Sequence, residues 1–213
     1  MRCVSDFYSD TKTKPTQAMR RAVLDAVVGD EQKGEDPTTE ELCRRVAELL
    51  GKEAAVFLPS GTMGNEIALR VHLDPGDELI CERSCHIVNF EGGAPAAFAG
   101  AMIQALDGEH GTLRPEQVAA AIRTPSRYSP VSRLLCVEQT ANMAGGAVWP
   151  LERLQSVARV ARDAGLATHM DGARLMNAVV QSGVSAGEWA AGFDSVWIDF
   201  TKGLGAPVGA VLA

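Results

Sequence analysis

Three short stretches place reactive residue types where a fold could bring them together. Leu58-Pro59-Ser60-Gly61-Thr62-Met63-Gly64-Asn65 ends an apolar run at a proline and opens a helix at once. Such a junction aims free N–H groups and the positive end of a helix dipole at one spot, and two glycines permit close backbone approach. A phosphate fits there, with the hydroxyls of Ser60 or Thr62 adding hydrogen bonds. No lysine follows the second glycine and the G-x-G-x-x-G spacing is missing, so the stretch is neither a P-loop nor a dinucleotide fingerprint. His169-Met170-Asp171-Gly172-Ala173-Arg174 delivers an acid at the carboxyl end of an apolar run, the edge where ligands sit in an open α/β sheet. A carboxylate there can pair with a buried cationic nitrogen such as a pyridinium, and Arg174 is near enough to serve the same pocket. Ser195 to Phe200 is a third apolar run, followed by Thr201-Lys202-Gly203-Leu204-Gly205. A lysine in that place costs free energy unless it is paired or working, and semi-burial frees its lone pair for imine formation. Each stretch also has a plainer reading: an ordinary strand-to-helix turn, an aspartate capping the next helix with Arg174 paired on the surface, and a solvated strand-end lysine.

The elements that must position these residues alternate along the chain. Helical spacing runs over Thr16–Val28 (Met19, Val23, Leu24, Val27) and stops at Gly29. Thr38-Thr39-Glu40-Glu41 opens a second helix with N-cap chemistry, and Leu42, Val46, Leu49 and Leu50 form its buried stripe. Strand-like runs follow at 54–58, 78–81, 102–106, 133–138, 167–170 and 195–200, with helical segments at 63–73, 115–122, 151–164 and 174–181 between most of them. Strands separated by helices of this length predict an α/β fold, a mostly parallel sheet with helices on both faces. Two regions are expected, an N-terminal arm and helix at 1–30 and a large domain at 31–213. Pro207 to Ala213 begins one more apolar run and is expected to be a strand on which the chain ends.

Composition limits the function classes. Of 213 residues, 46% are apolar, enough to bury a sizeable core. The formal charge of −7 lacks the basic face that nucleic acid requires. Cys3, Cys43, Cys81, Cys85 and Cys136 are unevenly spaced and read as reduced thiols. Cys81 and Cys85 lie next to His86, but no second ligand pair with zinc spacing exists, so no metal is expected. The polar segment Met1–Asp10 lacks the apolar stretch of a secretory signal, and no run reaches the ~20 apolar residues of a membrane span. A cytoplasmic protein is expected.

Taken in order, an anion seat, a strand-end aspartate and a strand-end lysine resemble the fold-type-I pyridoxal 5′-phosphate (PLP) enzymes. The finer wording is similar to the threonine aldolase and β-eliminating lyase family. Ser9-Asp10-Thr11 with Pro15-Thr16 resembles that family's opening motif, and Gly34-Glu35-Asp36-Pro37-Thr38 its second. Ser60 to Asn65 matches the phosphate loop, His86-Ile87 with Glu91-Gly92-Gly93 the ring-stacking segment, and His169 to Arg174 the aspartate strand. Thr201 to Gly209 closes the set. The resemblance implies that Lys202 holds PLP as a Schiff base, Asp171 faces the pyridine nitrogen, and Gly61 and Thr62 bind the phosphate. It implies further that His86 stacks on the ring and acts as, or positions, the base, while Ser9 and Arg174 approach the substrate carboxylate or the cofactor. The reaction implied is retro-aldol cleavage of threonine or allo-threonine to glycine and acetaldehyde, carried out by a homo-oligomer (dimer or tetramer). β-Elimination, racemisation or transamination on the same cofactor, and a catalytically silent PLP-binding homologue, are the alternatives.

Three departures from the family pattern bear on this. Lys33 stands where a tyrosine is common, placing a cation at the mouth of the site. Glu138-Gln139-Thr140-Ala141-Asn142 replaces Glu-Asn-Thr-His-Asn, which leaves His86 as the main candidate base. The family's small C-terminal domain, with another carboxylate-binding arginine, is absent from this chain, and truncation within the last strands is expected. In that event an exposed sheet edge and half a substrate site would remain.

Overall fold

The computed structural model describes residues 6–213; Cys3 lies outside them. Seven strands, β1 (Val56–Leu58), β2 (Glu78–Glu82), β3 (Met102–Leu106), β4 (Ser132–Glu138), β5 (Ala167–Gly172), β6 (Ser195–Asp199) and β7 (Ala210–Leu212), form one sheet in the order β1-β7-β6-β5-β4-β2-β3. Neighbouring strands from β6 through β3 are parallel, and β7 alone runs against its neighbours β6 and β1. The mostly parallel α/β sheet is thus the observed architecture. β7 pairs on both sides, Val211 lying opposite both Ile198 and Phe57, so the two edges of the sheet are β1 and β3.

Alternation along β4 divides the core between the two faces of the sheet. Leu135 and Val137 point into the larger apolar cluster, and Leu134 and Cys136 into a second one, as a strand's two-residue period requires. Helices α2 (Pro37–Leu50), α6 (Pro115–Ala121), α7 (Leu151–Asp163), α8 (Leu175–Ser182) and α9 (Ala186–Ala190) contribute to the first cluster. On the other face, α3 (Gly61–His72) and α4 (His86–Asn89) supply Leu69 and Ile87, and α5 (Ala94–Phe98) packs on α3. The short α4, α5 and α9 were outside the sequence expectation, because helices of four or five residues carry too few turns for a periodic signal.

Two expected boundaries move, for one shared reason. Helix α1 spans Gln17–Asp25, capped by Thr16 on the N–H of Met19, and ends before Val28. Beyond it the chain is tied to the start of α2: Asp36 accepts from the N–H of Gly29, and the Thr38 hydroxyl donates to the carbonyl of Val27. Asp36, in place of Thr38 or Thr39, caps α2 by accepting from both of their N–H groups, with Pro37 at the first helical position. Val46 and Leu50 are buried as the stripe predicts, whereas Leu49 is 42% exposed. Helix α1 buries no residue, and its Val23 and Leu24 face outward.

Candidate active site

The carboxyl ends of β4, β5 and β6 and the start of α3 surround a cavity of about 260 Å³. Its wall contains Gly61, Thr62, His86, Asp171, Arg174 and Lys202, residues drawn from four separate stretches of sequence. The strand edge of a parallel sheet and the N-terminus of a helix meet at one point here, the usual address for a ligand in this architecture.

Helix α3 begins directly after Pro59. Ser60 caps it by accepting from the N–H of Met63 at 3.3 Å. The N–H groups of Gly61 and Thr62 belong to the first turn, where a helix has no acceptor of its own, so they are free to meet an anion. The close approach at the glycines has a second cause. A Cβ on Gly61 would lie 2.1 Å from the indole of Trp197 on β6, and one on Gly64 would lie 3.3 Å from it. Gly61→Ala should therefore force the helix start away from the sheet. We expect a loss of roughly 1–3 kcal/mol, the usual cost of overpacking, read as a fall in Tm of about 2–4 °C per kcal/mol.

Asp171 is buried at the end of β5. One carboxylate oxygen accepts from the N–H of Ala173 at 3.0 Å and the other from the side-chain amide of Asn65 at 3.0 Å. The first bond is the helix-entry contact expected of a strand-end aspartate; the second ties it to α3. Burial raises its carboxyl pKa above the ordinary carboxylate value, against a smaller opposing pull from these donors and the charges of Lys202 and His86. A group so placed gains most from an inserted cation. Lys202, 15% exposed, reaches back to Asp199 at 2.6 Å and stands 5.5 Å from the Trp197 ring. Asp199 also accepts from the N–H and hydroxyl of Thr201, so the lysine is held in place rather than solvated.

His86 opens α4. Its N–H donates to Glu138 at 2.6 Å, and its Nδ1 lies 2.8 Å from Glu91. The hydrogen bond with Glu91 raises the imidazole pKa above its ordinary 6.5, against a smaller opposing effect of burial. Because the folded value lies above the unfolded one, the pair's stabilisation is complete below about pH 6.5 and fades as pH rises through the folded pKa. Glu91→Gln should remove most of that elevation. NMR titration of His86 should then show a midpoint lower than in the wild type, and an unchanged midpoint would mean that Glu91 does not set it. Glu138, pushed up to about 7 by burial and by the charge of Asp171, is also in the cavity wall and accepts from the N–H of Asn142 as well.

Two expected participants sit differently. Ser9 is outside the cavity wall; its hydroxyl caps the short turn Asp10–Lys12 and lies 2.8 Å from the hydroxyl of Thr11, which does reach the wall. Arg174 is in the wall, but its guanidinium is engaged by both oxygens of Asp10, at 2.7 and 2.8 Å. A substrate carboxylate would have to share or displace that fork. Cys81 and Cys85 turn into the apolar cluster beside Leu79, and burial pushes both thiols up, while the His86 ring faces Glu91. The thiols and the imidazole therefore do not converge. Ligand atoms of His86, Glu91 and Asp171 lie within 4.8 Å of one another, but hydrogen bonds from Asn65 and His86 already join them.

The sequence motifs contain Asp10, Asn65, Glu91 and Glu138 without assigning them tasks, and nothing in them marks Trp197 or Asp199 as site residues. A polar residue followed three positions later by Lys202 is a signal that could have marked Asp199. Nothing in the local sequence foretells that Asn65 reaches across to Asp171, since that contact exists only once α3 lies on β5.

Residues 6–213 match the family model described as beta-eliminating lyase. The chain is 43% identical over 211 residues to low-specificity L-threonine aldolase 1 of Arabidopsis thaliana, covering 97% of this chain and 59% of that protein. It is 41% identical over 208 residues to the low specificity L-threonine aldolase of Escherichia coli K12, covering 97% of this chain and 62% of that protein. The chain thus spans about three-fifths of the length of these curated relatives. A solved structure described as Leishmania major threonine aldolase superposes with a TM-score of 0.83 at 24% identity, over 96% of this chain and 60% of the other, and supports the fold. With the match running through every described residue, the chain belongs to the β-eliminating lyase family.

Proposed function

We propose that this site binds PLP and cleaves a β-hydroxy-α-amino acid, threonine or allo-threonine, to glycine and acetaldehyde. One observation carries the reading: Lys202, Asp171 and the free N–H groups of Gly61 and Thr62 open into a single cavity. The residues fit the cofactor. Gly61 and Thr62 would take its phosphate, Asp171 its ring nitrogen, and Lys202 its aldehyde carbon, with His86 beside the ring. When bound, PLP supplies an electron sink for the pair released at the substrate's α-carbon.

The chain's own groups do the rest. Asp171 offers an anion whose orientation is held by two donors, which favours a protonated ring nitrogen. Arg174 and Thr11 border the space a substrate carboxylate would enter, and clamping that carboxylate selects the bond that stands perpendicular to the ring. His86 accepts the β-hydroxyl proton, directly or through water, in its neutral form; Glu91 orients the imidazole through Nδ1. Of the chain's four histidines, His169 is fully buried, His110 is exposed outside the cavity wall, and His72 lies at the far end of α3, which leaves this task to His86.

Product analysis tests the assignment. Incubation with PLP and threonine, allo-threonine or phenylserine should yield glycine and the matching aldehyde. Pyruvate and ammonia from a β-substituted alanine, without aldehyde release from the hydroxy amino acids, would move the assignment to β-elimination. A protein that binds PLP and turns over none of these would be the silent homologue.

Assembly with a second copy belongs to the same proposal. Helix α1 and the residues before it expose Phe7, Tyr8 and Leu24, each more than 80% accessible, a surface suited to burial against another subunit. Among the described residues no helix is long and apolar enough to cross a membrane; as part of this reading we place the protein in the cytoplasm.

A further inference from the structure

Asn65 and His72 sit two turns apart on α3, on the side that packs against β5 and β6. Asn65 is fully buried, and every hydrogen-bonding position of its side chain is engaged. Its oxygen accepts from the indole N–H of Trp197 at 2.6 Å and lies 3.1 Å from Nε2 of His169. Its amide nitrogen donates to Glu91 at 2.6 Å and to Asp171 at 3.0 Å.

Those partners determine the direction of each bond. An indole N–H only donates, so the atom of Asn65 that faces Trp197 must be the oxygen and the amide cannot be turned over. With two lone pairs, its oxygen takes the Trp197 hydrogen and one more, which His169 must supply from Nε2. Burial lowers the His169 pKa to about 3, so the ring is neutral and its Nδ1 is an acceptor. Ser195, whose Oγ is 2.8 Å from that Nδ1, therefore donates to it. The same Oγ is 2.8 Å from Nε2 of the half-buried His72, which donates in turn. A one-way chain of hydrogen bonds results, from His72 through Ser195, His169 and Asn65 to Asp171.

We propose that His72, Ser195 and His169 are positioning residues that act through Asn65 on Asp171, holding the amide so that its donors keep the carboxylate ionised and aimed. None of the three is among the residues lining the cavity. The proposal rests on the reading of Asp171 as partner of the PLP ring nitrogen. Without the Asn65 donor, the desolvated carboxylate would favour its protonated form and could no longer balance a cationic ring.

Two measurements on the purified protein test it. Nitrogen-15 NMR at pH 7, without added cofactor, should find His169 as the neutral Nε2–H tautomer; an Nδ1–H tautomer or a charged ring would overturn the proposal. PLP titration without amino acid should show Ser195→Ala binding roughly tenfold more weakly than wild type, the loss expected for one buried hydrogen bond. Ser195→Thr, which keeps the hydroxyl, should bind within about twofold of wild type on the same scale. Equal PLP affinities for wild type and Ser195→Ala would overturn the proposal. A wild-type protein that takes up no PLP would sink the cofactor reading instead, and the His169 tautomer would still decide the chain. That measurement also stands if Ser195→Ala does not fold.

Discussion

Lys202→Ala should abolish turnover of threonine, with a loss of about 10³-fold or more, the upper range for removing a positioned proton-transfer group. Among the described residues Lys202 is the one amine in the cavity wall, and under the proposed function its removal would take away both the cofactor's attachment point and a base beside the substrate's α-carbon. The fold should persist. Asp199 loses its cation but keeps the N–H and hydroxyl of Thr201, each at 2.7 Å. Circular dichroism and a thermal melt separate the two effects: a folded, inactive variant supports a chemical role, and a folded variant with wild-type turnover would contradict it.

The second large effect is expected at Asp171. Asp171→Asn should lower kcat by about 10²–10³, comparable with removing one preorganised electrostatic group from an active site. It should also cost roughly 1–3 kcal/mol of stability, because a buried donor is left without an acceptor. The geometry explains why even this isosteric change is not neutral. Asn65 and the N–H of Ala173 each donate to a different oxygen of Asp171, and an amide offers only one oxygen. Kinetics at saturating PLP, together with denaturant unfolding, would read the two losses separately. Unchanged kcat at saturating cofactor would remove Asp171 from the chemistry.

The chemistry-bearing ends of the elements were legible in the sequence because local rules produce them. An apolar strand followed by Asp171-Gly172, a proline-terminated strand entering Ser60-Gly61-Thr62, and an apolar strand followed by Lys202-Gly203 each state their position along the chain. The topology then brings parallel strand ends to one edge, so an ordered set of such signals is enough to suggest a common cavity. What stayed hidden depends on lateral packing. The Asn65 network joins α3 to β5 and β6, which lie more than a hundred positions further along the sequence. The Asp10 fork on Arg174 links the N-terminal segment to β5's exit and changes what Arg174 is free to bind. The reversal of β7 is likewise invisible locally: three residues, Ala210–Leu212, carry no directional signal, and their place between β1 and β6 follows from the sheet. Helix α1 shows the converse, an amphipathic pattern whose apolar side finds nothing to cover it among the described residues.

The proposed function turns on Lys202 holding the cofactor covalently. The most direct test is to add PLP to the purified protein, record its absorption spectrum, reduce with borohydride and map the labelled peptide. A visible band that disappears on reduction, with pyridoxyl recovered on Lys202, is the predicted result. A folded protein that shows no such band, or carries the label on another lysine, would contradict it.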